Sequence, residues 1–382
     1  MKVTVAVRGR FHAFHLAREL ARRGYLGRLV TSYPKLGTDR YEIPRERVRS
    51  LPVFEAAIRG WDRLPAPLRR PADLPFRVGD AFDRRAAREL REGDDLFVGW
   101  SSTCLHGLRR ARALGIRTVV ERGSTHIEVQ TELLREEYER WGVRGVLAHP
   151  KVVERELQEY AEADFVAIAS SFVRRSFLER GFPEARLLVN PYGVDLQHFR
   201  PVPKRDDVFR VIHAGALSLR KGVHYLLQAF HELALPDAEL WLLGRVEEEI
   251  RPFLAKYASD RVLLEGPYPE LELYRHYGQG SVFCLASIEE GLSLVQAQAM
   301  ACGLPVVCTE NTGGEDLVRE GRDGFVVPIR DVEALKERIR FLHDDPEAAR
   351  AMGDSARERV AAGLSWSDYG DRAVAAYARV LA

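Results

Sequence analysis

The chain lacks the features that would place it in a membrane or in a disulfide-rich class. Its 382 residues include four cysteines and no CxxC pair, so we expect buried free thiols at Cys104, Cys284, Cys302 and Cys308. No apolar run approaches the roughly 18 residues that a membrane-spanning helix needs. The opening residues, MKVTVAVRG, predict a first strand and not a signal peptide. We therefore expect a cytoplasmic protein.

Repeats, low-complexity tracts and Asp-x-Asp pairs are also missing. Without a repeat of 20 to 50 residues, a solenoid is not expected. Without a carboxylate pair, the sequence predicts no site for a catalytic divalent metal ion.

Charge is nearly balanced overall but unevenly distributed. The formal net charge is +1, whereas residues 1–50 hold 12 basic and 4 acidic residues. A basic first half suits an anionic membrane surface, at the inner face of the membrane, or an acidic acceptor; an ordinary solvated face is the alternative. Nucleic acid is not an expected partner, because the basic stretch contains no recognition motif.

The length and the alternation of strands and helices predict an α/β protein of two doubly wound, Rossmann-like domains. Strands are expected at 3–7, 29–31, 96–99, 118–121 and 165–169, and again at 209–214, 239–243, 262–265, 282–285 and 306–309. Helices are expected at 222–233 and 271–277, with a long helical run at 331–360. The stretch 51–77 contains five prolines and is predicted to be irregular.

Pro191, Gly193, Pro201 and Pro203 predict a linker between the two halves. We therefore expect a first domain at 1–192 and a second domain at 204–365. The last residues, 365–382, carry an apolar helical stripe with no further strand to cover, so this helix (366–382) is expected to cross back onto the first domain. Two such domains leave a cleft between opposed strand ends, which suits two substrates.

Three turns in the second half have the chemistry of an anion site at the start of a helix. The first leads from Gly215 to Arg220 and Lys221, the second covers 291–295 and the third covers 309–318. Adjacent cations beside unsatisfied backbone N–H groups suit a diphosphate.

The stretch EEGLSLVQAQAMACGLPVV, residues 289–307, contains the second of these turns. It predicts a strand, an acidic turn and a buried helix that ends near Gly303. The turn would lie at the carboxyl end of the strand at 282–285, where open parallel sheets bind their ligands. This position makes Glu290 and Gln298 candidate ligand-binding residues.

Taken together, these turns resemble the donor half of glycosyltransferase family 4, the retaining GT-B enzymes (glycosyl transferases group 1). The family has two glutamates separated by seven residues, followed by phrases similar to AMACGLPVV and EDLVREGRDGFVVP in this chain. NPYGVDLQHF, residues 190–199, adds to the likeness, which spans about 154–382. The resemblance implies a GT-B fold with an acceptor-binding first domain and a nucleotide-sugar-binding second domain.

The resemblance also implies roles for residues of the second half. Arg220 and Lys221 would hold the donor diphosphate, Glu290 would orient hydroxyls of the transferred sugar, and Gln298 would face the ribose. The other implied donor-site residues are Gly215, Gly291, Leu294 and Val295. Two departures stand out: Ala216 occupies the place of a family arginine, and Gln298 occupies the place of the second glutamate.

In the first half, the resemblance implies two further site residues. Gly9 follows the first strand where the family has a glycine-rich loop, and His126 follows the strand at 118–121 and matches the family's cleft histidine, which contacts the transferred sugar. A structural role is the alternative for His126. His12 and His15 flank a helix start, and we expect His15 to be a packing residue.

The expected activity is retaining, metal-independent transfer of a hexose from a nucleotide-diphosphate sugar to a hydroxyl of a glycan, glycolipid or small molecule. UDP is favoured over GDP and ADP, and no cofactor is expected. The catalytic candidates are Glu290, His126, Arg220 and Lys221. The alternatives are a non-catalytic sugar-nucleotide-binding partner of another transferase and a sugar-nucleotide 2-epimerase; a phosphorylase is disfavoured because no pyridoxal-binding lysine is recognisable.

Overall fold

A computed structural model describes residues 1–64 and 73–382. In these residues the chain forms two parallel sheets, one in each half. The first has the order β3-β2-β1-β4-β5-β6-β7 and contains β1 Val3–Val7, β2 Leu26–Thr31, β3 Val48–Ser50, β4 Leu96–Trp100, β5 Arg117–Arg122, β6 Phe165–Ile168 and β7 Leu187–Val189. The second has the order β10-β9-β8-β11-β12-β13 and contains β8 Phe209–Ala214, β9 Ala238–Leu243, β10 Val262–Glu265, β11 Val282–Leu285, β12 Val306–Thr309 and β13 Gly324–Val327.

Helices cover the faces of both sheets. In the first half they are α1 Ala13–Arg22, α2 Pro52–Asp62, α3 Leu74–Ala87, α4 Leu105–Ala113, α5 Ile127–Arg140, α6 Pro150–Glu162 and α7 Ser171–Glu179. In the second half they are α8 Val223–Leu233, α9 Arg251–Lys256, α10 Leu273–Tyr277, α11 Leu294–Ala301, α12 Gly314–Leu317, α13 Val332–Asp344, α14 Pro346–Ala361 and α15 Trp366–Leu381.

The central strands have the apolar, β-branched composition of strands that are buried on both faces. Every residue of β1 and β11 is buried, and all pairings between neighbouring strands are parallel. The predicted doubly wound arrangement is therefore confirmed. The four cysteines are buried and free, also as predicted.

The prediction of an irregular stretch at 51–77 was wrong at both ends. Helix α2 begins at Pro52, and Pro75 lies in the first turn of α3. Proline is favoured in the first helical turn, where its missing N–H has no intrahelical partner to lose. Pro65, Pro67 and Pro71 lie outside the described residues.

Helix α15 crosses back onto the first sheet's domain, as predicted. Ser365 and Asp368 form a capping box at its start, where the ring of Trp366 stacks on His15 of α1 with 3.8 Å between ring centroids. Arg23 of α1 also forms an ion pair with Asp371. The return of this helix fastens the end of the chain to the domain in which it began.

We call the part that contains the seven-stranded sheet the first domain and the part that contains the six-stranded sheet the second domain. The bounds 1–192 and 204–365 are kept as a proposal. No helix in the described ranges is long and apolar enough to cross a membrane. Contact of the basic first half with an anionic membrane surface stays a prediction.

Candidate active site

A cavity of about 810 Å³ lies between the two domains. Its first-domain wall comes mainly from the segments that follow β1, β2, β4 and β5 and from α2, and its second-domain wall comes from the segments that follow β8, β10 and β11. Both walls are thus built at the carboxyl ends of parallel strands, the usual place for a ligand in open α/β sheets. The wall residues of the second domain are Arg220, Glu270, Glu290 and Leu292 to Val295.

Arg220 lies in the turn between β8 and α8 and reaches across to the first domain. Its guanidinium contacts the Glu289 carboxylate at 2.9 Å and donates to the Ser124 hydroxyl at 3.1 Å. Burial opposes the charge of Arg220, but Glu289 and Glu290 outweigh it and raise the pKa of the guanidinium. Arg220 is therefore a fixed cation on the cavity wall, with about a third of its side chain exposed.

The two adjacent glutamates of the acidic turn have different surroundings. Glu289 is fully buried, and its carboxylate accepts hydrogen bonds from the backbone N–H and hydroxyl of Thr125 and from the amide of Gln130. Burial disfavours its charge, but Arg220 and the Thr125 donors lower the pKa of Glu289 overall. Glu289 thus joins the two domains and is saturated with donors.

Glu290 instead lines the cavity. Its Oε1 lies 2.6 Å from Nζ of Lys221, and its backbone N–H donates to the carbonyl of Asn311 at 2.9 Å. Arg220 is more distant from this carboxylate, at 4.0 Å. The structure therefore brings together the three charged residues that the sequence predicted for the donor site.

The domains touch at the glycine that follows this pair. A Cβ atom on Gly291 would lie 2.1 Å from the carbonyl oxygen of Gly123, so no larger residue fits without separating the domains. Ser170 of the first domain donates to the carbonyl of Gly291 at 2.6 Å. Gly291 itself is not part of the cavity lining; it brings the backbones of the two domains into contact next to Glu290.

The other predicted donor-site residues are distributed around the cavity. Leu294 and Val295, at the start of α11, line it, and so does Gly9. Gly9 has φ +102°, which favours glycine, and its N–H donates to the hydroxyl of Ser32 at 2.8 Å. Gly215 is not part of the lining; it lies behind the wall, near the side chain of Lys221.

Gln298 lies in a second, smaller cavity of about 270 Å³. Its amide donates to Glu270 at 3.2 Å, whereas its Oε1 is buried and has no hydrogen-bond partner among the described residues. Glu270 belongs to a 3-10 turn before α10 and lines both cavities. No local sequence pattern points to this carboxylate, because it is 28 residues away from Gln298 along the chain.

The prediction that His126 faces the cleft was wrong. Its side chain is 4% exposed, packs against Tyr160 and Phe177, and accepts a hydrogen bond from the N–H of Glu128 as the N-cap of α5. Burial, followed by the charge of Arg122, lowers the pKa of His126 to about 4. The helix that starts here turns the ring into the core of the first domain.

Two other first-domain residues that line the cavity were missed. His12 contacts a carboxylate oxygen of Glu121 at 3.3 Å through Nε2, and Arg122 forms an ion pair with Glu156 at 3.0 Å. His12 was noted only as a flank of a helix start. Nothing in the local sequence distinguishes Arg122 from other arginines, because its partner is 34 residues away.

Comparison with known proteins agrees with this arrangement. Residues 195–359 match the family described as Glycosyl transferases group 1, which confirms the resemblance predicted from the sequence. Over its whole length the chain is similar to the structure of sucrose-phosphate synthase from Thermosynechococcus elongatus, with a TM-score of 0.73, 20% identity and coverage of 100% and 99% of the two chains. The chain has the GT-B fold.

Two curated relatives are mannosyltransferases. The chain is 31% identical to a GDP-mannose-dependent alpha-(1-6)-phosphatidylinositol monomannoside mannosyltransferase of Mycolicibacterium smegmatis, over 55% of this chain and 61% of the relative. It is 28% identical to an MMP alpha-(1->4)-mannosyltransferase of Mycolicibacterium hassiacum, over 96% and 93%. The chain therefore spans less than two thirds of the first relative and most of the second.

Proposed function

We propose that the protein is a glycosyltransferase that moves a hexose from a nucleotide-diphosphate sugar, with UDP-hexose as the favoured donor, to a hydroxyl group of its acceptor. The observation that carries this proposal is the cluster formed by Arg220 and Glu290 on one wall of a cavity between two domains and by Lys221, which lies 2.6 Å from Glu290. Two cations suit a diphosphate, and a neighbouring carboxylate suits sugar hydroxyls.

Donor binding would exchange contacts that already exist in this cluster. Lys221 pairs with Glu290 at 2.6 Å, and Arg220 pairs with Glu289 at 2.9 Å. If a diphosphate binds Lys221 in place of Glu290, the Glu290 carboxylate becomes available to the hydroxyls of the hexose. The two cations would thus exchange carboxylate contacts for contacts with the equally anionic diphosphate.

For the ribose, we propose a joint role of Gln298 and Glu270. Gln298 supplies a buried acceptor that no donor in the described part of the chain satisfies, and Glu270 supplies a carboxylate 3.2 Å from its amide. A ribose diol needs acceptors, and the buried oxygen of Gln298 is costly to leave unsatisfied. Glu270 therefore provides the negative charge that Gln298 lacks at this position.

We propose that transfer retains the configuration of the hexose and needs no metal ion. The bond from C1 to the diphosphate oxygen breaks, the acceptor oxygen bonds to C1 from the same face, and the hydroxyl proton passes to the leaving diphosphate. Arg220, Lys221 and nearby backbone N–H groups would stabilise the negative charge on the leaving group. The family resemblance supports retention; an NMR assignment of the product anomer tests it, and activity unchanged by EDTA tests metal independence.

The first experiment is a thermal-shift panel of UDP, GDP, ADP and their hexose derivatives. A nucleotide at 100 times its dissociation constant stabilises the folded protein by about 2.7 kcal/mol. The proposal expects a shift with UDP and its hexose derivatives. A shift with GDP alone would mean that a GDP-hexose, and not UDP-hexose, is the donor. The absence of a shift with any nucleotide would contradict a donor site.

A non-catalytic sugar-nucleotide-binding partner is the second candidate, favoured by the amide of Gln298 in place of a carboxylate. Donor hydrolysis in the absence of an acceptor separates the two proposals, because a pure binding protein binds the nucleotide and releases no hexose. Slow hydrolysis that Glu290→Gln abolishes would support the enzyme.

A further inference from the structure

We propose that the acceptor carries a phosphate group that Arg8 binds on the first-domain wall of the cavity. The inference rests on the proposed transfer reaction and specifies its acceptor. The phosphate can belong to a soluble sugar or polyol phosphate or to a phospholipid headgroup, and the experiment below distinguishes these two sources.

Arg8 differs from the other arginines of the cavity wall. Of the five arginines that the described residues contribute to the cavity wall, four form an ion pair with a carboxylate: Arg10 with Glu270 at 3.6 Å, Arg59 with Glu55 at 2.9 Å, Arg122 with Glu156 at 3.0 Å and Arg220 with Glu289 at 2.9 Å. Arg8 has no ion pair within 4 Å in the described part of the chain. Arg8 is therefore a cation of the cavity wall whose charge no carboxylate of the described residues balances at close range, so it is available to an anionic ligand.

The surroundings of Arg8 increase the benefit of an anionic ligand. The side chain is partly buried, and this burial lowers the pKa of the guanidinium against the weaker opposing effects of Glu55 and Asp62. A partly buried cation without a close partner loses hydration that nothing replaces. A phosphate can accept two parallel N–H···O hydrogen bonds from the guanidinium, and these replace the lost hydration. A phosphate also carries a negative charge, which a neutral hydroxyl does not.

The position of Arg8 assigns it to the acceptor and not to the donor. A Cβ atom on Gly79 of α3 would lie 4.0 Å from Nε of Arg8 and 3.2 Å from a methyl carbon of Thr103. The guanidinium therefore extends toward helix and turn elements of the first domain. Arg220 and Lys221, the proposed diphosphate ligands, belong to the second domain.

An aromatic surface lies on the same wall. Phe11 is 66% exposed and has φ +44°, an unusual backbone conformation for a bulky residue. Tyr33 also lines the cavity. These rings offer a stacking surface for the carbon skeleton of an acceptor whose phosphate lies on Arg8.

The test is calorimetry on the full-length protein saturated with UDP. The ligands are glucose 6-phosphate, fructose 6-phosphate and inositol 1-phosphate, each paired with its unphosphorylated form, and inorganic phosphate alone. A sedimentation assay compares vesicles of phosphatidylcholine with vesicles that contain phosphatidylinositol. We expect a phosphorylated ligand, or the phosphatidylinositol vesicles, to bind at least about tenfold more tightly than the neutral counterpart.

Three variants complete the experiment. Arg8→Gln should abolish the preference for phosphate, Arg8→Lys should keep part of it, and Arg110→Gln, which removes an exposed arginine of α4, should leave it unchanged. UDP affinity measured for each variant reports whether the donor site is intact. Equal binding of phosphorylated and neutral ligands overturns the inference, as does an unchanged preference in Arg8→Gln. A loss of UDP affinity in Arg8→Gln also overturns the inference, because Arg8 would then bind the donor. The transferase proposal would stand in that case.

Discussion

The two walls of the cleft differ in how their cationic side chains are paired with carboxylates. On the second-domain wall, Lys221 and Arg220 each contact a carboxylate from the acidic turn. On the first-domain wall, Arg8 has no carboxylate within ion-pair distance among the residues described. The second-domain site is therefore held in shape before a donor arrives, whereas the first-domain wall keeps one charge for its ligand.

This comparison explains why the sequence was more informative for one wall than for the other. Apart from Glu270, the second-domain wall comes from two short segments, Arg220 after β8 and Glu290 with Leu292 to Val295 after β11. The first-domain wall combines side chains from distant segments, such as Arg8 and Arg122. Short turns leave a local pattern in the sequence, and a wall assembled from distant segments does not.

The largest effect is expected from deletion of residues 366–382, which contain α15 and pack against the first domain. Trp366, Tyr369 and Tyr377 are buried, and removal of α15 exposes the apolar surface that they cover. We expect poor solubility, a lower melting temperature and no transfer, measured by thermal unfolding and an activity assay.

Removal of Ala382 alone is the matched control and should change none of these quantities. A protein lacking 366–382 that stays soluble, melts as before and keeps its turnover would refute the role of this helix and the proposed domain bounds.

On the second-domain wall, Glu290→Gln should reduce transfer by about 10² or more. The carboxylate is proposed to orient the sugar and not the nucleotide, so UDP affinity should change little. Steady-state kinetics and calorimetry with UDP provide the two measurements. Equal losses in turnover and UDP affinity would argue against this assignment.

Glu289→Gln is the neighbouring control, because it removes a charge that joins the domains and does not line the cavity. It should lower stability by about 3 kcal/mol, measured by urea unfolding, since it breaks a buried ion pair with Arg220. If Glu289→Gln left stability unchanged and Glu290→Gln unfolded the protein, the two roles would have to be exchanged.

Arg220→Ala and Lys221→Ala should weaken UDP binding by about tenfold each while uridine binding changes much less. The reason is that both cations are proposed to contact the diphosphate, which uridine lacks. Titrations of the two ligands measure the difference. A parallel loss of uridine affinity would place these residues against the nucleoside.

The smallest effect on transfer is expected from His126→Asn on the first-domain side. Asparagine keeps an N-cap acceptor for α5, and the ring is not part of the cavity, so turnover should stay within about twofold of the native value. A decrease in turnover of about 10²-fold with normal stability would instead support contact of His126 with the transferred sugar.

The same variant should change the pH dependence of stability. The pKa of His126 is lowered to about 4 in the folded protein, so between pH 6.5 and 4 the unfolded chain binds a proton that the folded chain does not. Native stability therefore falls as the pH decreases through this range, and His126→Asn should show a shallower fall in urea unfolding at pH 7 and pH 5.

Most strands were predicted accurately, whereas three of the four edge strands were missed. The strands at 3–7, 209–214, 262–265 and 282–285 agree with the structure to the residue, and 262–265 is itself an edge strand. Val48–Ser50 and Leu187–Val189 have only three residues each, too few for a pattern to be recognised, and Gly324–Val327 was covered only by the phrase EDLVREGRDGFVVP. The prolines of 51–77 were interpreted as breakers, although two of them begin helices.

The sequence by itself determined the two parallel sheets and the returning helix, because these depend on the apolar period of each segment. It also determined that Arg220, Lys221 and Glu290 lie at strand ends. Only the tertiary structure decided that His126 faces the core, that Glu270 contacts Gln298, and that Arg8 lacks an ion pair within residues 1–64 and 73–382. The direction of a side chain and the partner of a charge depend on segments far apart in the chain, which no local pattern specifies.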